Sequence, residues 1–196
     1  MSFLLQRALD DPYAPLRGLV SNLRCIPPLK RGDSEMAAVL SDVCARGVLL
    51  GISLETRPKA YTRTCAYYDD RFEVLMLRWA PGAASPIHDH GGQHCWLAVL
   101  DGTLAVENYR RTDGGEREGR AVIVPSDSAV LGAGQVDVRS DPFDIHRVYQ
   151  TGHGPATSLH VYARPLQQFT VYDEFAHRCE VAHSRYDALF SPPERS

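Results

Sequence analysis

No stretch of the 196-residue chain is apolar for as long as a bilayer-crossing helix requires, so none is expected. Neither sign of charge is in excess. Lys and Arg number 21 against 24 Asp and Glu, a formal net charge of −3, which argues against nucleic acid as the main partner. There is no Cys-x-x-Cys pair. The five cysteines (Cys25, Cys44, Cys65, Cys95, Cys179) are odd in number and irregularly spaced, which argues against a disulfide framework or a structural zinc site. The short apolar run Phe3-Leu4-Leu5 leads into Gln6, Arg7 and two aspartates, which is not the pattern of a secretory signal. Reduced thiols and a cytoplasmic location are therefore the expectation. Repeats and low-complexity segments are also missing. A hydrophobic content of 44% over this length is enough to bury the core of one domain.

Two periodicities divide the chain. Residues 1–56 read as a mainly helical N-terminal cap, with a weak helix near Leu4 to Leu23 and a break at Pro27-Pro28. Met36, Val39, Leu40, Val43 and Cys44 then recur on one helical face, with Ser34 as the expected N-cap and Gly47 as the C-terminal glycine. Cys25 and Cys44 read as small core residues, and Leu49 to Thr56 as a further short helical or loop piece.

From Tyr61 the period becomes two. Tyr61, Arg63, Cys65 and Tyr67 share one face of a strand, and Asp69-Asp70 makes a turn. Phe72 to Trp79 is apolar on both faces, as a central strand is. Further strands are expected at 95–100, 103–111, 120–124, 129–131, 137–139, 145–150, 157–163, 169–173 and 179–185, with a hairpin turn at Asp101-Gly102. Many short strands separated by Gly, Pro and Asp turns predict an all-β jelly-roll barrel over 57–190, with the helical segment before it and a frayed tail at 191–196. The mouth of such a barrel is the natural place for a small ligand.

Three of the eight histidines lie between Gly82 and Gly102. In a strand His88 and His90 point the same way, so the two imidazoles can grip one divalent metal. His94 is left structural. Ser158, His160 and Tyr162 also alternate onto one face, where hydroxyl, imidazole and phenol can form a hydrogen-bonded relay; the plainer alternative is a polar outer face. Arg63, facing the same way as Tyr61, offers a fork of donors suited to a carboxylate, or is a solvated edge residue.

The spacing Gly82-x5-His88-x-His90-x4-Cys95-x6-Gly102 resembles the first motif of the cupin superfamily. The departure is Cys95, which stands where cupins usually carry a glutamate ligand. With that cysteine the run His-Asp-His-x3-His-Cys resembles the cysteine dioxygenase family of thiol dioxygenases. The resemblance implies a cupin β-barrel holding Fe(II) on three histidines, whereas spacing alone leaves zinc, copper and iron open. It implies His146, in Ile145-His146-Arg147-Val148, as the third ligand rather than His153. This second motif departs from the cupin pattern at Asp144 and Gln150.

The same resemblance implies that Ser158, His160 and Tyr162 stand beside the iron, and that Cys95 can be joined to Tyr162 by a thioether. It also implies that Arg63 and Tyr61 bind the substrate carboxylate. Trp79 matches a family tryptophan and reads equally well as a core aromatic. Ala163-Arg164-Pro165 departs from the family's Ser-Pro-Pro, and Arg164 is a candidate second cation. The expected activity is oxidation of L-cysteine by O2 to cysteine sulfinate. The alternatives are 3-mercaptopropionate or another small thiol acid as substrate, or a metal-holding sensor without turnover. The expected partners are a small thiol and O2, with no nucleic acid and no membrane, and the expected state is a monomer.

Overall fold

The computed structural model describes residues 14–27, 32–47, 54–115, 118–140 and 144–189. Helices α1 (Ala14–Cys25) and α2 (Asp33–Ala45) come first. Twelve strands follow among the described residues: β1 (Tyr61–Tyr68), β2 (Glu73–Trp79), β3 (Ile87–His88), β4 (Cys95–Asp101), β5 (Thr103–Arg111), β6 (Ile123–Gly132), β7 (Val136–Arg139), β8 (Ile145–Gln150), β9 (Ala156–Tyr162), β10 (Gln168–Asp173), β11 (Arg178–His183) and β12 (Ala188–Leu189).

They form two six-stranded sheets, in the orders β12-β1-β2-β9-β4-β7 and β11-β10-β3-β8-β5-β6. The chain changes sheet at nearly every connection from β2 to β9. The result is β2-β9-β4-β7 facing β3-β8-β5-β6, the winding of a jelly roll. The all-β architecture with a helical start is therefore as expected.

Alternation along the strands of the first sheet sorts their side chains into two cores, one on each face. Leu75, Leu77, Trp79, Leu97 and Val99 of the first sheet meet Leu104, Val106 and Val148 of the second in the space between the sheets. Val74, Met76, Trp96, Leu159 and Val161 point outward and are covered by Leu16, Leu19 and Leu23 of α1 and Met36 and Leu40 of α2. The first sheet is thus buried on both faces, which is why β2 reads as a continuous apolar run. The indole of Trp96 donates to Asp33 Oδ1 at 3.1 Å and ties the start of α2 to β4.

Several local expectations are corrected. Gly32, not Ser34, precedes α2, and no side chain caps it. Ser34 lies inside the first turn, its hydroxyl donating to Glu35 at 2.9 Å, while Asp33 and Glu35 place negative charge at the helix N-terminus. Gly47 has the positive φ of a helix-terminating glycine, as expected. Cys25 is exposed rather than in the core, and Cys44 is half-buried between α2 and the first sheet, its thiol donating to the Val99 carbonyl at 3.7 Å. A register shift between Cys65 and Tyr67 turns Tyr67 away from the inner face and onto the helix-covered core.

Asp101-Gly102 is not a hairpin: β4 and β5 lie in different sheets, and the turn carries the chain across the barrel. Gly102 has φ +77°, and a Cβ there would lie 2.8 Å from Ala156 Cα, so the corner closes only around glycine. The strands expected at 120–124 and 129–131 are largely one strand, β6. The weak helix expected near Leu4 to Leu23 is described only from Ala14 and runs on to Cys25. Of the segment expected at 49–56, residues 49–53 lie outside the described residues, as does the tail at 191–196.

Candidate active site

His88 ends β3 and sits directly opposite His146 of β8 in the antiparallel register. His90 lies beyond the strand, so strand alternation does not by itself bring it to His88. The turn at Gly91-Gly92 does: both glycines have positive φ, and Gly91 passes so close to Gln168 that a Cβ would lie 2.6 Å from its carbonyl oxygen. Asp89 fixes the segment between the two histidines. Its Oδ1 accepts from Gly91 N–H at 3.0 Å and Thr170 N–H at 2.8 Å, and its Oδ2 from the Tyr172 hydroxyl at 2.9 Å.

The three rings converge, with centroids 5.4 Å apart for His88 and His90, 4.7 Å for His88 and His146, and 4.8 Å for His90 and His146. One nitrogen from each lies within 4.8 Å of the others. His88 Nδ1 donates to the Pro86 carbonyl at 2.9 Å, which leaves the Nε2 lone pair of that ring free for a metal. Buried His146 Nδ1 has no hydrogen-bond partner among the described residues.

Burial pushes the pKa of His88 down to about 4, with the positive charge of Arg63 adding to the effect. Burial also holds His90 and His146 well below the usual histidine range. All three are neutral nitrogen donors near pH 7, and no carboxylate joins them among the described residues. This donor set fits a divalent transition metal and leaves coordination positions open.

The inner face of β9 forms a second wall. Trp79 Nε1 donates to Ser158 Oγ at 2.9 Å, and Ser158 Oγ lies 2.9 Å from His160 Nε2. An indole N–H can only donate, so the serine oxygen accepts from it; with a second lone pair and one proton, that oxygen either donates to His160 Nε2 or accepts from it, according to the tautomer of the ring. Burial lowers the pKa of His160 to about 3, so the ring is neutral. Tyr61 stacks on Trp79 at 4.7 Å.

Of the three residues expected to form a relay, the fold brings Ser158 to His160, with Trp79 hydrogen-bonded to the serine. His160 and Tyr162 stack with centroids 6.4 Å apart, and the phenol of Tyr162 hydrogen-bonds to the Cys95 thiol instead. Cys95 faces Tyr162 directly across the β4–β9 register. Burial raises the pKa of both thiol and phenol; Cys95 pushes the phenol up further, whereas the Tyr162 hydrogen bond partly offsets the rise at the thiol.

These walls enclose a cavity of about 40 Å³. Space of that size takes a ligand equivalent to a few waters and excludes a peptide. Arg63 and Tyr61 line it together with the histidines, and Leu77, Leu166 and Phe169 supply apolar surface. Leu166 and Phe169 come from beyond β9, and their sequence context is ordinary, so only the fold reveals them. Arg164 does not line the cavity; it is exposed, with its backbone N–H bonded to Gln93 at 3.0 Å. His153 is exposed in the loop after β8, and His94 is exposed beside Trp96.

A family model described as cysteine dioxygenase type I matches residues 55–175. Cysteine dioxygenase type 1 of Danio rerio is 33% identical over 105 residues, covering 53% of this chain and 51% of that protein. The Rattus norvegicus enzyme is 27% identical over 164 residues, covering 81% of this chain and 80% of that protein. The first of these alignments spans about half the length of the curated relative. Among solved structures, a conserved Klebsiella pneumoniae protein with a double-stranded β-helix domain aligns at 17% identity over 60% of this chain and 84% of that one, with a TM-score of 0.45.

Four buried neutral imidazoles make the metal-free protein sensitive to acid. Their folded pKa values lie below the unfolded value of about 6.5, so the unfolded chain binds more protons as pH falls. Their contribution is complete above that value and is lost below it, at up to about 1.4 kcal/mol per pH unit for each ring. Denaturant titrations of the metal-free protein should give a midpoint that is flat above about pH 7.5 and falls steeply below about pH 6. A midpoint unchanged down to about pH 5 would mean that the rings titrate normally in the fold.

Proposed function

The chain belongs to the cysteine dioxygenase type I family, and on that premise we propose that it is a non-haem Fe(II) thiol dioxygenase converting L-cysteine and O2 to cysteine sulfinate. The observation that carries this reading is the pairing, across one small cavity, of three neutral imidazoles with Arg63 and Tyr61. His88, His90 and His146 would hold the metal. Bound Fe(II) supplies the redox chemistry that delivers both oxygen atoms to sulfur, two steps up the thiol oxidation ladder.

The remaining roles fall to the chain's own residues. The Arg63 guanidinium pairs with the substrate carboxylate, and the Tyr61 hydroxyl adds a hydrogen bond from a ring held on Trp79. Tyr162, kept protonated by burial, is a donor toward the reacting thiol end. His160, held by its hydrogen bond with Ser158 and kept neutral by burial, stands beside that phenol. Leu77, Leu166 and Phe169 exclude water from the small ligand.

The thioether between Cys95 and Tyr162 belongs to the same proposal. What supports it is their facing register and their hydrogen bond. Its formation makes one C–S bond, breaks the thiol S–H and one ring C–H, and passes two electrons to dioxygen. Protein exposed to iron and cysteine in air should lose two hydrogen atoms in intact mass, and Cys95→Ser should not. An unchanged mass in the parent after sustained turnover would remove the crosslink from the account.

Oxygen uptake by the Fe(II)-loaded protein, with sulfinate identified, tests the function itself. Turnover of L-cysteine should exceed that of 3-mercaptopropionate, and Arg63→Ala should raise the KM for L-cysteine by about 10- to 100-fold. No uptake with either thiol would overturn the reading, and an unchanged KM would remove Arg63 as the carboxylate contact.

A further inference from the structure

Arg63 is held in place by a segment that lies beyond the residues matched by the family model, which end at 175. Among the described residues β1 is flanked on one side by β2, and on the other by the two residues of β12, which pair with Thr64 and Cys65. At Arg63 the ladder on that side is replaced by Asp187. Asp187 Oδ2 accepts the Arg63 backbone N–H at 2.8 Å, and the Asp187 backbone N–H donates to the Arg63 carbonyl at 2.8 Å. The Arg185 carbonyl accepts from Arg63 Nη1 at 3.2 Å.

The same segment is anchored at its other points. Ser184 N–H donates to Gln167 carbonyl at 2.9 Å. The Tyr186 ring packs on the inter-sheet core, and Glu73 lies near enough to its hydroxyl to raise its pKa. Glu73, fully buried, accepts the Leu166 N–H at 2.8 Å, and Leu166 lines the cavity. Residues 184–187 thus connect Arg63 on one side of the cavity with Leu166 on another.

The charges are arranged to leave Arg63 available. The second oxygen of Asp187, Oδ1, lies 2.7 Å from Arg57 Nη1, so its negative charge is matched by Arg57. Its first oxygen is taken up by a backbone amide, not by the Arg63 guanidinium. A carboxylate on that guanidinium would compete with an acidic ligand; one on the backbone fixes the arginine and leaves its charge for the cavity. The Arg185 carbonyl takes one of the guanidinium's five donors and orients the others.

We propose that Asp187 is a positioning residue for Arg63, and through it for the carboxylate of the substrate. This rests on the thiol-acid reading above. The test is anaerobic calorimetric titration of the Fe(II)-loaded protein with L-cysteine and with cysteamine, which has no carboxylate. Asp187→Ala should weaken L-cysteine binding by about tenfold and cysteamine binding by less than about twofold. Asp187→Asn keeps an acceptor for the Arg63 N–H and should recover most of the loss.

Arg57→Ala, which frees Asp187 without touching its bond to Arg63, should give a smaller loss of the same kind and serves if Asp187→Ala does not fold. Equal weakening of both thiols, or of neither, would overturn the proposal. Arg63→Ala separates the two failures. If it weakens L-cysteine and the Asp187 variants do not, only the positioning role is lost; if it too leaves L-cysteine unaffected, the carboxylate clamp itself is wrong.

Discussion

The antiparallel pair that sets His88 against His146 is the contact on which the site depends. It is a short pairing, because β3 has only two residues. Its geometry is held from outside: Asp89 binds β10 and the Gly91 turn, and the Ser85 hydroxyl accepts the Val148 N–H at 3.0 Å on β8. A one-residue slip of either strand would turn an imidazole to the other face of the sheet. The backbone around the histidines is therefore bonded more heavily than the imidazole rings themselves.

The inner faces of the barrel carry a row of groups that an apolar core would exclude. Glu73 on β2, Tyr162 on β9, Cys95 on β4 and Arg139 on β7 lie side by side across the first sheet. Burial of most of these groups is tolerable because they are neutral or paired; Glu73 Oε2 accepts the Leu166 N–H, while its Oε1 has no hydrogen-bond partner among the described residues. The histidines, the phenol and the thiol are held uncharged, and Arg139 is matched by Asp137 at 2.6 Å and Asn108 at 2.6 Å. The two positive charges near the histidines, Arg63 and Arg139, both favour unprotonated rings. The same charge distribution that keeps the donors ready for a metal thus also favours an anionic ligand.

Strand periodicity made the inward set legible: Leu75, Leu77, Cys95, Leu97, Ser158, His160 and Tyr162 all face as the alternation requires. Spacing singled out His88 and His90, and the family resemblance added His146; the fold brings the three together. Other features depend on contacts distant in sequence and could not be read locally. Gly102 resembles a hairpin glycine because a sheet-to-sheet corner and a hairpin need the same positive φ. The bulge after Cys65 interrupts the alternation without a glycine or proline to mark it. The carboxylate of Asp187 meets Arg63 across 124 positions, which no local pattern records.

X-ray absorption of the Fe(II)-loaded protein without thiol tests the central claim most directly, because it counts the ligands that the strand registers bring together. The account predicts a first shell of nitrogen and oxygen with three imidazoles and no sulfur. Fewer than three imidazoles, or a sulfur scatterer from Cys95, would contradict it.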